Sequence, residues 1–122
     1  MAPAVEVVIV QSDIIKEGTL AKQSKHLHHW RPRHFVLTPQ YICSFKVKGD
    51  YRKPTEVIPL RDCVTVRSCE DEIGRDHAFK LEAGGRDFFL VADSAAEKEA
   101  WLGRIAKAMV RRTVMVRDQQ YE

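Results

Sequence analysis

Hydrophobic and polar residues alternate along most of the chain with a period of two, the period of a β-strand that buries one face. In RHFVLT, Phe35 and Leu37 fall on one face. In YICSFKV, Ile42 falls on the face opposite to Cys43 and Phe45. Turn-forming residues separate such runs throughout. The pattern predicts seven strands, at 18–23, 33–38, 41–47, 55–60, 63–69, 77–83 and 86–92.

Three of the connecting segments carry a specific turn signal. Gly84-Gly85 lies between the last two predicted strands, and glycine adopts positive φ without steric cost, so a two-residue hairpin is predicted there. Pro39-Gln40 predicts a second tight turn. The segment 70–76, EDEIGRD, is rich in charge and contains a glycine, and we interpret it as a solvated turn.

After residue 92 the pattern changes to that of an α-helix. Ser94 and Glu97 have the spacing of a capping box. Arg111 and Arg112 would complement the dipole in the last turn of a helix at 93–112. The apolar stripe of this helix consists of Trp101, Leu102, Ile105, Ala108 and Met109.

These elements favour a closed architecture, because a flat seven-stranded sheet would expose two edges that promote aggregation. The expected fold class is mainly β: a bent antiparallel sandwich or barrel of seven strands, capped by one C-terminal amphipathic α-helix. The predicted organisation is an N-terminal tail or short extra element at 1–16, one domain at 17–110 and a C-terminal tail at 111–122.

Composition agrees with one folded domain. The chain has 122 residues, of which 44% are hydrophobic and 30% charged. The first ten residues, MAPAVEVVIV, lack a basic stretch and are too short to cross a bilayer, so neither a signal peptide nor a membrane span is expected. Three cysteines without C-x-x-C spacing indicate a reducing, cytoplasmic compartment.

The formal net charge of +3 is unevenly distributed. Residues 16–53 contain nine Lys or Arg residues and only two acidic residues, whereas the remaining segments are weakly negative. A concentration of positive charge in one part of a chain favours an anionic partner.

Four segments, taken in order, resemble the pleckstrin homology (PH) domain family over residues 17–110. They are EGTLAKQ (17–23), HWRPRHFVL (29–37), VIPL (57–60) and AAEKEAWLGRI (95–105). The resemblance implies the seven-stranded fold described above and a role in binding anionic phospholipid headgroups at membranes. The pattern is also similar to that of the small acylated PH-domain proteins of apicomplexan parasites, which sense phosphatidic acid.

The family's lipid-binding members carry a lysine at the end of strand one and a basic-x-Arg-x-hydrophobic motif in strand two. Here Lys22, Arg31, Arg33 and Phe35 match that motif. Alternate residues of a strand face one side, and guanidinium groups bind phosphate oxygens well, so the resemblance implies a headgroup pocket. The predicted headgroup-binding residues are Lys22, Arg31 and Arg33, with Lys25, Lys46, Lys48, Arg52 and Lys53 from two loops. Leu27 and Trp30 are the predicted membrane-inserting residues.

Two positions depart from the members that bind polyphosphorylated inositol lipids. A tyrosine in strand three and a basic residue before strand four are replaced by Cys43 and Thr55. The expected ligand is therefore a simpler headgroup, either phosphatidic acid or a simple phosphoinositide.

The sequence favours other functions less. His26, His28, His29 and His34 suggest a metal, but no cysteine or carboxylate lies nearby in sequence, so neither metal nor cofactor is expected. Protonation of these histidines would instead make membrane binding pH-dependent. No catalytic pairing of nucleophile and base emerges, and basic residues are too few for nucleic acid, so neither an enzyme nor a nucleic-acid binder is expected.

The predicted protein is a monomer that acts in signalling as a peripheral protein on the cytosolic face of a membrane. The alternative is a protein–protein interaction domain of the PH fold without specific lipid binding.

Overall fold

A computed structural model describes residues 7–26 and 28–120, with side chains described as far as Arg112. Seven strands and one long helix confirm the predicted fold class. The strands are β1 (Lys16–Gln23), β2 (Trp30–Leu37), β3 (Tyr41–Phe45), β4 (Glu56–Pro59), β5 (Cys63–Ser68), β6 (Ala78–Ala83) and β7 (Arg86–Val91). The helices are α1 (Glu70–Ile73) and α2 (Ala95–Gln120), and short 3-10 turns lie at Gln11–Asp13 and Leu60–Asp62.

All strand pairs are antiparallel, in the order β4-β3-β2-β1-β7-β6-β5. The two edge strands, β4 and β5, are consecutive in the chain and are joined only by the turn Leu60–Asp62. Such a connection spans at most roughly 15 Å, so the sheet must curve until its edges approach at this corner. This connection explains why the sheet is bent rather than flat.

The interior of the curved sheet is filled by one hydrophobic core. Phe35 and Leu37 of β2 lie in it on one face, as the period of two predicted, and Ile42 of β3 lies there with them. Helix α2 adds Trp101, which is 0% exposed, together with Ile105. The remaining buried members come from β1, β4, β6, β7 or its end, the turn after β4 and α2, and include Leu20, Ile58, Leu60, Phe79, Leu81, Phe88, Leu90 and Ala108.

Helix α2 begins as predicted but is longer than predicted. The Ser94 hydroxyl accepts a hydrogen bond from the Glu97 backbone amide (3.1 Å), which is the N-terminal half of a capping box. The Glu97 carboxylate pairs with Lys16 (3.1 Å), whose ammonium lies 5.1 Å from the Trp101 ring centroid. Residues 113–120, which lie beyond the predicted helix at 93–112, are helical. No glycine or proline follows Gly103, so the local sequence gives no signal that would end the helix earlier.

A second hydrophobic cluster lies on the outer face of the sheet. Its buried members are Val36, Cys43 and Phe45, and we call it the outer cluster. Val7 and Ile9, from the chain before β1, pack against it together with Ile14, Tyr41, Tyr51 and Val57. The residues that precede β1 therefore cover an apolar face that would otherwise meet water.

The segment predicted as a solvated turn at 70–76 contains the short helix α1 and anchors the start of α2. The Glu70 carboxylate accepts hydrogen bonds from Lys98 Nζ (2.6 Å), the His77 amide (2.7 Å) and Ser68 Oγ (3.2 Å). Lys98 is only 7% exposed. The hydrogen bond from Lys98, supported by that from His77, lowers the pKa of Glu70 to about 2.

Glu70 is therefore expected to make folding stability depend on acid pH. A carboxyl whose folded pKa lies below its unfolded value stabilises above the unfolded pKa, about 4.5 for this group, and loses that contribution as pH falls toward 2. Glu70→Gln should lower the melting temperature by several degrees at pH 7 and progressively less between pH 4.5 and pH 2. The control is Asp71→Asn, a change at an exposed carboxylate of the same helix. A constant difference between wild type and Glu70→Gln across this pH range would contradict the assignment.

Candidate functional site

An open cavity of about 380 Å³ lies at one end of the curved sheet, where β1 ends and β2, β4 and β7 begin. Its lining contains five basic side chains and the carboxylate of Glu56. The lining residues are Lys22, Ser24, Lys25, Arg31, Arg33, Thr55, Glu56 and Arg86. Four residues predicted to bind a headgroup, Lys22, Lys25, Arg31 and Arg33, are thus brought together.

The pairing of β1 with β2 explains how the predicted motif reaches the cavity. Lys22 is directly opposite Arg31. Side chains alternate along a strand, so Arg31 and Arg33 share the face of Phe35, which is buried in the core. The basic side chains therefore form the mouth of the same interior that the apolar residues fill.

Three residues of the cavity, Ser24, Glu56 and Arg86, were not predicted, and two of them are charged. Glu56 Oε1 accepts hydrogen bonds from Lys22 Nζ (3.2 Å) and Arg86 Nη1 (2.8 Å). The Arg86 guanidinium also stacks on Phe88, 4.2 Å from the ring centroid. Arg86 follows the Gly84-Gly85 turn directly, and both glycines have positive φ, 59° and 76°. The confirmed hairpin thus places Arg86 at the cavity, although no motif pointed to it.

Of the two positions expected to set ligand choice, Thr55 borders the cavity and Cys43 does not. Thr55 Oγ1 lies 2.7 Å from Ser44 Oγ, and the Thr55 amide donates to the Ser44 carbonyl (2.7 Å). Cys43 lies opposite Val36 and is buried in the outer cluster. The placement of Cys43 beside the headgroup site was therefore wrong, because Ser44, opposite Phe35, carries the inward parity of β3.

The remaining basic residues of the 46–55 loop do not line this cavity. Lys46, Lys48, Arg52 and Lys53 are exposed. Lys48 and Arg52 border a separate open depression of about 590 Å³. Arg52 Nε lies 3.0 Å from Asp50 Oδ1, and this hydrogen bond holds the pKa of Asp50 below its usual range. The loop forms a charged rim beside the cavity, at the end of the sheet where β3 ends and β4 begins.

The two predicted insertion residues have different outcomes. Leu27 lies outside the described residues. Trp30 is half-buried, with the Arg75 guanidinium 4.5 Å from its ring centroid. This stacking gives Trp30 a packing partner, and its insertion into a bilayer stays a prediction.

The histidines do not converge on one point. His26, His28 and His29 are exposed, whereas His34 is 5% exposed and its Nε2 lies 3.1 Å from Glu17 Oε1. Within 7–26 and 28–120, no group of three His, Cys, Asp or Glu side chains is arranged to hold a metal ion. In the same part of the chain, no helix is both long and apolar enough to cross a membrane.

A family model and the sequences of known proteins point to the same family. A model of the PH domain matches residues 14–110. Pleckstrin homology domain-containing protein 1 of Arabidopsis thaliana is 33% identical over 111 residues, covering 86% of this chain and 75% of the plant protein. Pleckstrin homology domain-containing family A member 2 of Mus musculus is 33% identical over 100 residues, which are 79% of this chain but only 23% of the mouse protein.

Solved structures agree. The C-terminal PH domain of pleckstrin in complex with D-myo-Ins(1,2,3,5,6)P5 is 32% identical, with a TM-score of 0.68, and the match covers 79% of this chain and 95% of that one. The Slm1-PH domain in complex with phosphoserine is 28% identical, with a TM-score of 0.70, and the match covers 81% of this chain and 98% of that one.

The position of Cys43 makes a prediction about thiol reactivity. Burial raises the pKa of the Cys43 thiol to about 11, and a protonated, buried thiol is a poor nucleophile. Native protein treated with iodoacetamide at pH 8 should therefore leave Cys43 unmodified, whereas protein unfolded in urea should be fully alkylated there. Peptide mass spectrometry measures both. Rapid native alkylation would show that the outer cluster opens readily.

Proposed function

The chain belongs to the PH domain family, and we propose that it is a membrane-recruitment module that binds an anionic phospholipid headgroup, phosphatidic acid or a simple phosphoinositide. One observation carries the proposal: five basic side chains from three strands and one loop surround a single open cavity. They are Lys22, Lys25, Arg31, Arg33 and Arg86.

The chemistry of these side chains suits a phosphate group. Guanidinium groups form charge-assisted, often bidentate hydrogen bonds to phosphate oxygens, and lysines add positive charge. Arg31 and Lys25 are exposed at the mouth, where a headgroup would enter. The cavity volume of about 380 Å³ lies in the usual range of small-molecule sites.

The charged rim would supply attraction that does not depend on the headgroup. Basic residues near an anionic leaflet contribute about 1 kcal/mol each. The exposed Lys46, Lys48, Arg52 and Lys53 would together give reversible attachment, reduced for Arg52 by its pairing with Asp50. Membrane attraction and headgroup binding thus use different residues.

The comparisons with known PH domains support lipid or ligand binding in general. Two structural relatives hold phosphate-bearing ligands, an inositol pentakisphosphate and phosphoserine. PH domains are generally non-catalytic binding modules and often mediate peripheral membrane association. We further propose that this protein is a monomer and that it associates with the cytosolic face of a membrane. The choice of phosphatidic acid, suggested by the resemblance to the apicomplexan proteins, stays a prediction.

Replacing the two arginines tests the site. Arg31→Ala/Arg33→Ala should weaken binding to vesicles that contain phosphatidic acid or a monophosphorylated phosphoinositide by about tenfold or more, because it removes both guanidinium groups of the motif. The matched control is Arg104→Ala/Lys107→Ala, which removes the same charge from exposed positions of α2. Vesicle co-sedimentation measures binding, and thermal melts of both variants should remain close to wild type.

The outcome also separates the proposal from its alternative. Equal losses in the two double variants would reduce the function to bulk electrostatics. Retained binding in Arg31→Ala/Arg33→Ala, or indifference of wild type to vesicle composition, would favour a protein–protein interaction domain of the PH fold.

The exposed histidines predict stronger binding in mild acid. Histidine becomes cationic below about pH 6.5, and His26, His28 and His29 adjoin Lys25 in the β1–β2 loop. Flotation with phosphatidylserine vesicles should therefore show tighter binding at pH 6.0 than at pH 7.5. Phosphatidylserine is used because phosphomonoesters themselves titrate near pH 6.

A loop variant serves as the control for this pH effect. His26→Gln/His28→Asn/His29→Gln should abolish the difference, with asparagine chosen at 28 because that residue has φ of 53°. Equal wild-type binding at both pH values would remove the hypothesis.

A further inference from the structure

The cavity contains an acidic side chain where an anion-binding site would be expected to hold only cations. Glu56 Oε1 bonds both Lys22 Nζ (3.2 Å) and Arg86 Nη1 (2.8 Å). Both cations line the cavity, as does Glu56 itself. The carboxylate therefore already occupies positions on Lys22 and Arg86 that a phosphate oxygen could otherwise take.

The carboxylate is held in place by its strand. Glu56 is the first residue of β4 and pairs with Ser44 of β3. The preceding residue, Thr55, is fixed by hydrogen bonds to the hydroxyl and the carbonyl of Ser44. The side chains of Glu56 and Lys22 are 19% and 15% exposed, so their pair is less screened by water than a surface pair.

The basic residues of the cavity thus form two groups. Lys22 and Arg86, with Glu56, make a paired sector. Lys25, Arg31 and Arg33 make an open sector, because no carboxylate of the described residues lies within ion-pair distance of them. Arg33 donates a hydrogen bond to the Pro32 carbonyl (2.9 Å), which carries no charge. An incoming phosphate finds unpaired positive charge in the open sector.

We propose that Glu56 is a specificity-determining residue that restricts the cavity to headgroups with a single phosphomonoester. The inference rests on the proposed headgroup binding. One phosphate fits the open sector, but a second phosphate on the neighbouring ring carbon would extend toward the paired sector and meet the Glu56 carboxylate. Like charges brought together in a binding site oppose association, so the carboxylate rejects the bisphosphate.

The size of the cavity does not provide this selection. A volume of about 380 Å³ is large enough for small ligands of several functional groups. Selection therefore comes from the sign of one partly buried charge, and a substitution that neutralises this charge but keeps the shape of the side chain should relax the selection.

Glu56→Gln makes this change, since the amide retains an oxygen that can accept the hydrogen bond from Arg86. Binding is measured to vesicles carrying either a monophosphorylated or a vicinal bisphosphorylated phosphoinositide at equal total surface charge. Wild type should prefer the monophosphorylated lipid. Glu56→Gln should raise affinity for the bisphosphorylated lipid by about tenfold and for the monophosphorylated lipid by about twofold or less.

Asp50→Asn is the matched control, because it also removes one negative charge at the same end of the sheet but outside the cavity. It frees Arg52 in the charged rim. This variant should raise binding to both vesicle types equally. Thermal melts of the two variants verify that each is folded.

The outcomes separate the inference from the function on which it rests. If wild type prefers the monophosphorylated lipid but Glu56→Gln raises or lowers both affinities equally, Glu56 does not set specificity, and headgroup binding stands. If wild type and both variants follow surface charge alone, with no preference for either lipid, both the inference and the proposed headgroup site are overturned.

Discussion

The antiparallel register between β1 and β2 fixes the core and the cavity together. Leu20, inside the core, lies opposite Arg33, while Lys22 lies opposite Arg31 at the mouth. Shifting the register by one residue would turn Phe35 and both arginines to the other face of the sheet. Burial of Phe35, which is 2% exposed, therefore holds the arginines at the cavity, and the free energy that stabilises the core also positions the basic residues.

Local periodicity was sufficient to predict the seven strands and the start of α2, and the resemblance to the family supplied half of the residues that line the cavity. The seven strands and the apolar stripe of α2 follow from periods of two and 3.6. The family motif pointed to Arg31 and Arg33, which the period of two places on the face of Phe35. The misplacement of Cys43 came from the family alignment. Since Ile42 faces the core, its neighbour Cys43 must face outward, and parity carried that information where the family alignment did not.

Glu56 and Arg86 could not be found in this way because they depend on the closure of the sheet. Arg86 is 30 residues from Glu56, and Lys22 is 34 residues from it. The start of β7 lies beside the end of β1 because these strands pair, but the start of β4 reaches both only because the sheet curves. Strand patterns predict which face a residue occupies, but they do not specify the distance between strands that are not neighbours. The same limit hid the anchoring of α1 to Lys98, which joins residues 28 apart.

The carboxylate of Glu56 also reduces the electrostatic repulsion among the basic side chains of the cavity. Five cations in one partly buried place repel one another, and desolvation weakens the screening that water would provide. A carboxylate bonded to two of them lowers that repulsion in the unliganded protein. The same contact opposes a ligand that needs those two cations. At Glu56, a contact that stabilises the unliganded protein therefore narrows the range of ligands that the cavity accepts.

The charged rim has no such conflict, because Tyr51 anchors its loop to Phe45 of the outer cluster, with ring centroids 5.3 Å apart, and the lysines stay exposed to water. Long-range attraction can therefore remain strong while recognition inside the cavity stays narrow.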